Sequence, residues 1–150
     1  EYDWGRVGEG RLRTPFSYGR TRGVDRDTRK PINSVHPAQL TLGARYDTAV
    51  WSLFLDGRYQ AAKKSRHIDS TAYVDASQGE QFAPRSATVF DLGAQWRLRP
   101  GVRLNFAVHN ITNRKYWLWP DVHGRPAGSA DIDAYTQPGR SVRISLVADF

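Results

Sequence analysis

Four histidines, His36, His67, His109 and His123, are the side chains of this 150-residue chain best suited to chemistry. An imidazole can ligate a metal or exchange a proton near neutral pH. Their spacing locks none of them to another or to a carboxylate. No G-x-S-x-G, P-loop, H-E-x-x-H or C-x-x-C pattern occurs, and without cysteine there is neither a disulfide nor a thiol nucleophile. Loop aspartates and histidines would make a hydrolytic site only if folding gathered them, so no catalytic residue is assigned and no enzyme is expected. Trp117 and Trp119 are two residues apart and share one face of an extended segment. There an outer aromatic belt is favoured over stacking on a ligand.

The elements that would position these groups read as strands. In Ser141–Phe150 the side chains of Val142, Ile144, Leu146, Ala148 and Phe150 fall on one face. Ser141, Arg143, Ser145 and Asp149 fall on the other, with Val147 the one apolar member. About ten residues of apolar-out, polar-in alternation suit a transmembrane β-barrel strand; an outer strand of a soluble sandwich shows the same pattern. Recurrence favours the barrel. Leu40, Leu42, Ala44 and Tyr46 alternate with Gln39, Thr41, Gly43 and Arg45, and Trp51, Leu53, Leu55 and Tyr59 with Ser52, Asp56, Arg58 and Gln60, Phe54 being a misfit. Phe90, Leu92, Ala94 and Trp96 alternate with Asp91, Gly93, Gln95 and Arg97, and Val102, Leu104, Phe106 and Val108 with Arg103, Asn105, Ala107 and His109. A soluble core would have to desolvate and pair these inner ions at several kcal/mol each, whereas a wet or plugged lumen would not. Tyr46, Trp51, Tyr59 and Trp96 stand near strand ends, where an aromatic girdle belongs.

Composition bounds this reading. A hydrophobic content of 39% with mean hydropathy −0.62 excludes transmembrane helices and leaves barrel strands open, since those expose apolar groups on one side alone. The formal charge is +7, from 22 Lys and Arg against 15 Asp and Glu. The arginines fall on inner strand faces and in loops, without a basic helix or a nucleic-acid motif, so no nucleic acid is expected. Lipopolysaccharide phosphates, a plug or an anionic ligand are the expected acidic partners. The chain has no methionine and shows no signal peptide at Glu1, so a processed or excised segment is expected.

Connections alternate between long and tight. Residues 20–37, 61–85 and 111–138 are long and polar; the links at Asp47–Ala49 and Arg97–Gly101 are short. Outer-membrane barrels have long extracellular loops and short periplasmic turns, which predicts about six antiparallel strands at 8–19, 38–46, 49–60, 86–96, 101–110 and 139–150, with all three long loops outside. Pro15 removes a ladder donor within the first of them. No helix longer than a turn is predicted.

Particular residues resemble a known family. Asn110-Ile111-Thr112-Asn113-Arg114-Lys115-Tyr116-Trp117 resembles the N-L-x-D/N-x-x-Y element before the last strand of TonB-dependent outer-membrane receptors, and Gln137-Pro138-Gly139-Arg140-Ser141 the P-G-R-S/T element that opens it. The stretch from Tyr116 to Gly124 followed by Asp131–Arg140, together with Pro31-Ile32-Asn33-Ser34-Val35-His36-Pro37 and Leu42-Gly43-Ala44-Arg45-Tyr46, is similar to the haem and haemoglobin branch. The terminal Phe150 resembles the assembly signal of bacterial outer-membrane proteins.

The resemblance implies a localisation in the bacterial outer membrane and a chain that is the carboxyl-terminal portion of a plugged barrel of about 22 strands, with plug domain and earlier strands absent. It implies uptake of haem or haemoprotein-derived iron, coupled to TonB through the plug, with lipid and lipopolysaccharide around the wall and no intrinsic cofactor. The family's FRAP and NPNL loop motifs are absent, so its haem histidines do not carry over. Iron in haem accepts an axial imidazole, which makes His67 and His123, in expected extracellular loops, candidate ligand-binding residues beside Tyr135. His36 and His109 are weaker candidates, and Tyr73, like Tyr135, could stack on or ligate a porphyrin. The alternatives are a TonB-dependent siderophore receptor and a small self-standing outer-membrane barrel, an adhesin or structural protein, which would need two more strands.

Overall fold

In a computed structural model, residues 1–71 and 79–149 can be described. They form one antiparallel sheet of eight strands: β1 (Tyr2–Val7), β2 (Gly10–Thr14), β3 (Phe16–Gly19), β4 (Gln39–Asp47), β5 (Trp51–Gln60), β6 (Ala87–Arg99), β7 (Val102–His109) and β8 (Ser141–Ala148). The order is β1-β2-β4-β5-β6-β7-β8, with β3 also on β4. Strands β2 and β3 are one line of chain. Arg13 faces Arg45 and Phe16 faces Leu42 in unbroken register. Between them the Pro15 carbonyl accepts the Gly43 N–H at 2.9 Å, but proline has no N–H to donate in return. One absent ladder bond thus divides the strand expected at 8–19 without shifting it.

The sheet therefore has seven positions, where about six were expected. The addition is β1, formed by residues that the alternation left outside any strand. A bulge between Asp3 and Gly5, with Gly5 at φ 76°, breaks its period of two.

Register places the apolar set on one face. Phe106 lies opposite Ile144, Leu104 opposite Leu146 and Val108 opposite Val142, with Val142, Ile144 and Leu146 61%, 68% and 64% exposed. Leu53, Leu55, Phe90, Leu92 and Trp96 are exposed on the same face. Phe150, expected to join them, lies outside the described residues.

The opposite face carries paired charge. Arg13 meets Asp47 at 2.6 Å, Arg45 meets Asp56 at 2.8 Å and Arg58 meets Asp91 at 2.7 Å. Gln95, Asn105 and Ser145 are linked at 2.9 and 3.3 Å.

The two ends of the sheet differ. The turns at 8–9, 48–50 and 100–101 share one end, and the segments 20–38, 61–86 and 110–140 share the other. At the tight end the Tyr46 and Trp51 rings are 5.3 Å apart and Trp51 pairs across to Trp96, forming part of a girdle. Among the described residues no helix is long and apolar enough to cross a membrane; the helical pieces are α1 (Trp119–Val122) and 3-10 turns at Ser65–His67 and Ile132–Tyr135.

Among the described residues β1 borders β2 alone and β8 borders β7 alone. Among the described residues, 139–149 do not pair with 8–19, so the described sheet does not close on itself.

Candidate ligand-capture cap

The three long segments pack together at the far end of the sheet. The third starts at Asn110, whose left-handed backbone (φ 49°) suits asparagine. Its N–H donates to Asp91 Oδ1 at 2.8 Å, its Oδ1 accepts the Arg114 N–H at 2.8 Å, and its Nδ2 donates to the carbonyls of Arg114 and Pro138 at 2.9 and 3.1 Å. Asn113, at φ 51°, accepts the Arg140 N–H on Oδ1 at 2.9 Å. A Cβ on Gly139 would stand 2.8 Å from that oxygen, so the approach needs glycine. The segments 110–117 and 137–141 are thus bonded to each other and hold the foot of the loop closed.

Beyond this foot the chain turns inward. Pro120 is the second residue of α1, in the first turn, where its missing N–H has no helical partner to lose. Trp119 is 1% exposed, and its Nε1 donates to the Asn33 carbonyl of the first segment at 2.6 Å. Lys63, from the second segment, is 5% exposed; its ammonium lies 4.3 Å from the Trp119 ring centroid and donates to the Val35 carbonyl at 2.7 Å. Its burial lowers the ammonium pKa. Asn33 exchanges two hydrogen bonds with the Asp69 backbone, at 2.8 and 2.7 Å. Phe82 and Trp117 meet edge to face at 5.3 Å, and Phe82 N–H donates to the Arg125 carbonyl at 2.8 Å. Trp119, Val122 and Pro84 are the largest fully buried side chains among the described residues. The belt expected for Trp117 and Trp119 is therefore corrected: Trp119 is the buried pin of the cap and Trp117 packs on Phe82. Nothing local announced this, because the partner of Trp119 lies 86 residues away.

A recess of about 240 Å³ opens beneath the cap, lined among others by Gln39, Thr41, Arg58, Gln60, Tyr116 and Gln137. Burial raises the Tyr116 pKa, with Arg58 opposing it and the Asp91 charge adding to it, so the phenol stays protonated there.

The candidate residues have separate surroundings. His67 ends the turn Ser65–His67, is exposed, and accepts from Arg66 Nε at 3.4 Å. Desolvation and the charges of Arg66, Lys63, Lys64 and Arg22 lower its pKa, which keeps the imidazole neutral and able to ligate. His123 follows α1, with Nδ1 3.0 Å from the Pro120 carbonyl and its ring 6.0 Å from Trp119. Tyr135 has one ring face covered by the Arg125 guanidinium at 3.8 Å. His36 is exposed, and His109 stands 3.6 Å from Asp91 on the inner face. Tyr73 lies outside the described residues. Among the described residues no three His, Asp or Glu side chains gather as a metal site.

Comparisons place this architecture. The chain is 29% identical over 133 residues to hemoglobin-haptoglobin utilization protein B of Neisseria meningitidis serogroup C, covering 80% of this chain and 16% of that protein. It is 24% identical over 169 aligned residues to transferrin-binding protein A of Neisseria meningitidis serogroup B, covering 98% and 18%. It thus spans less than a fifth of these curated relatives. Among solved structures, the copper transporter OprC superposes with a TM-score of 0.74 at 20% identity, over 99% of this chain and 21% of that one, a likeness of fold. Residues 1–111 match the family described as TonB dependent receptor-like, beta-barrel, and the chain belongs to that family of TonB-dependent receptor β-barrels.

Proposed function

We propose that this chain is the carboxyl-terminal portion of an outer-membrane TonB-dependent receptor that takes up haem or haemoprotein-derived iron. The observation that carries the reading is the cap: three loops, pinned through Trp119 to Asn33 and Lys63, present His67 and His123 on the end of the barrel opposite the tight turns. A preformed surface of this kind suits capture of a bulky ligand, because little loop entropy is lost on binding. The relatives named for haemoglobin-haptoglobin use support haem as the cargo. In this mechanism the loops take the ligand, the polar inner wall with Arg58 and Tyr116 faces it, and a plug driven through TonB moves it inward. These residues supply wall, rim and loops; energy coupling belongs to the plug.

A second reading has its own support. The transferrin-binding relative aligns along 98% of the chain, which fits iron taken from a carrier protein without haem. Titration of haem, followed by its absorbance, into the intact receptor with a ferric siderophore as competitor tests the proposal. Saturable haem binding that the siderophore leaves unchanged is expected. Displacement by the siderophore, or no saturable haem binding, would overturn it.

A further inference from the structure

The recess beneath the cap has two unlike sides. The third segment folds back over the inner face of β4, β5 and β6. Gln60 Nε2 donates to the Trp117 carbonyl at 3.2 Å, and the Gln137 N–H donates to the Tyr116 carbonyl at 2.9 Å. These bonds hold Tyr116 over the wall. The floor is apolar, with Ala87 and Val89 5% and 3% exposed and Leu118 lining the same recess.

The rim is made of donors. Thr41 and Arg58 reach it from adjoining strands, where they pair in register. The Tyr116 phenol lies near enough to Arg58 and Asp91 for both charges to act on it. Among the described residues no carboxylate lines the recess.

Asp91 anchors Arg58 from behind. One guanidinium nitrogen donates to Asp91 Oδ2 at 2.7 Å, and Asp91 Oδ1 is taken by the Asn110 N–H at 2.8 Å. Asp91 is buried, whereas the Arg58 side chain is 53% exposed. A guanidinium carries several N–H donors in a planar fork, so the bond to Asp91 orients Arg58 and leaves donors facing the lumen. Arg58 and Thr41 also line a second recess of about 270 Å³, nearer the tight turns beside Ser17 and Arg45. Arg58 thus stands at the divide between the two.

An oriented guanidinium with hydroxyl donors beside it matches a carboxylate, which accepts parallel bonds from the fork. An apolar floor favours a carboxylate borne on an apolar body. Pockets that enclose a drug-sized ligand span about 300–1,000 Å³, so the 240 Å³ recess takes the edge of a large ligand and not the whole.

We propose that Arg58, with Tyr116 and Thr41 beside it, seats a propionate of haem against the inner wall once the ligand has passed the cap. The proposal rests on haem as the cargo and adds where its carboxylate edge is held.

The test titrates the intact receptor in detergent with haem and with haem dimethyl ester, which keeps ring and iron and loses both carboxylate charges. The wild type should prefer haem on the order of 10- to 100-fold, the value of a charge-assisted hydrogen bond to a fixed partner. R58Q should weaken haem binding and leave the ester unchanged, so that most of the preference disappears. Measuring both ligands on each variant isolates the coupling between Arg58 and the carboxylates. Y116F should shrink the preference on the order of 5-fold. R13Q removes an inner-face cation that pairs with Asp47 outside the recess and should keep it.

Heat-modifiable migration in gels verifies that each barrel is folded, and Y116F decides the matter where R58Q does not fold. Equal affinity of the wild type for haem and ester, or a full preference retained in the folded variants, would overturn the proposal and leave haem uptake standing. Absence of saturable binding of both ligands to the wild type would overturn the proposed function, and the propionate seat with it.

Discussion

The Phe54 ring lies over Gly93 on the inner face, filling the space that a side chain at position 93 would occupy. The Arg45 guanidinium stands 5.1 Å from the centre of that ring. An apolar residue on a charged wall is thereby covered on both sides, by a neighbouring backbone and by a cation.

Gly93→Ala should accordingly be destabilising although the new methyl is small. Overpacking costs about 1–3 kcal/mol, measurable by urea unfolding of the receptor in lipid. Phe54→Ala in the same chain should restore most of the loss. Wild-type stability in Gly93→Ala would show that the ring has somewhere else to go.

Ile144 sits mid-strand on β8, opposite Phe106 and 68% exposed on the apolar face. An arginine there should cost about 2–4 kcal/mol near the bilayer midplane. Arg143, one residue earlier, has the other face and needs no such compensation. Refolding yields into vesicles, compared for Ile144→Arg and wild type, decide this; equal yields would remove Ile144 from the lipid-facing set.

The alternation in Gln39–Asp47, Trp51–Gln60 and Val102–His109 made those strands legible, because lipid on one side and polar lumen on the other impose a strict period of two. β1 escaped notice because the bulge at Gly5 breaks that period. Phe54 was visible as a misfit, and the glycine opposite it was the available signal, but cross-strand register is needed to see the pair. The cap was illegible. Its pin joins Trp119 to Asn33 and Lys63 across loops whose composition says only that they are polar.

Trp119→Ala should loosen the cap and leave the barrel standing. Removing a buried tryptophan costs about 3–5 kcal/mol in a packed centre, and the Asn33 carbonyl would lose its donor. Hydrogen exchange should rise across 30–36, 61–69 and 117–123 with strand protection unchanged. Faster exchange throughout the strands would instead make the cap part of the barrel's cooperative unit.

The link between the first two loops has a pH signature. Hydrogen bonds from the Thr71 hydroxyl and N–H, and then the Lys30 charge, hold the Asp69 carboxyl below its ordinary value of 3.8. A carboxyl whose folded pKa is depressed contributes stability that is present above the unfolded pKa and is lost as pH falls through the folded one. Protection factors of residues 30–36, taken relative to intrinsic exchange at each pH, should therefore be the same at pH 7 and pH 5 and fall only below about pH 4. A fall already near pH 6 would point to a histidine in place of Asp69.

Alanine at His67 and His123 tests the capture residues directly. Both imidazoles are exposed on the cap, and although the His123 ring lies 6.0 Å from Trp119 its removal takes away no buried side chain, so assembly should be unaffected. Desolvation and the charges of Arg66, Lys63, Lys64 and Arg22 lower the His67 pKa, so binding through it should decline at a lower pH than binding through an ordinary imidazole. To ligate through Nε2, His67 must displace Arg66, whose Nε stands 3.4 Å away. Each single variant should weaken haem or haemoprotein binding, and the double variant should weaken it further. Tyr135→Phe, which removes the phenol and keeps the ring, should lower affinity only if the hydroxyl ligates iron, since Arg125, 3.8 Å from the ring, already covers one face that a porphyrin would need. Unchanged affinity in both single histidine variants and in the double variant would return these histidines to the solvated surface and leave capture to other residues of the receptor.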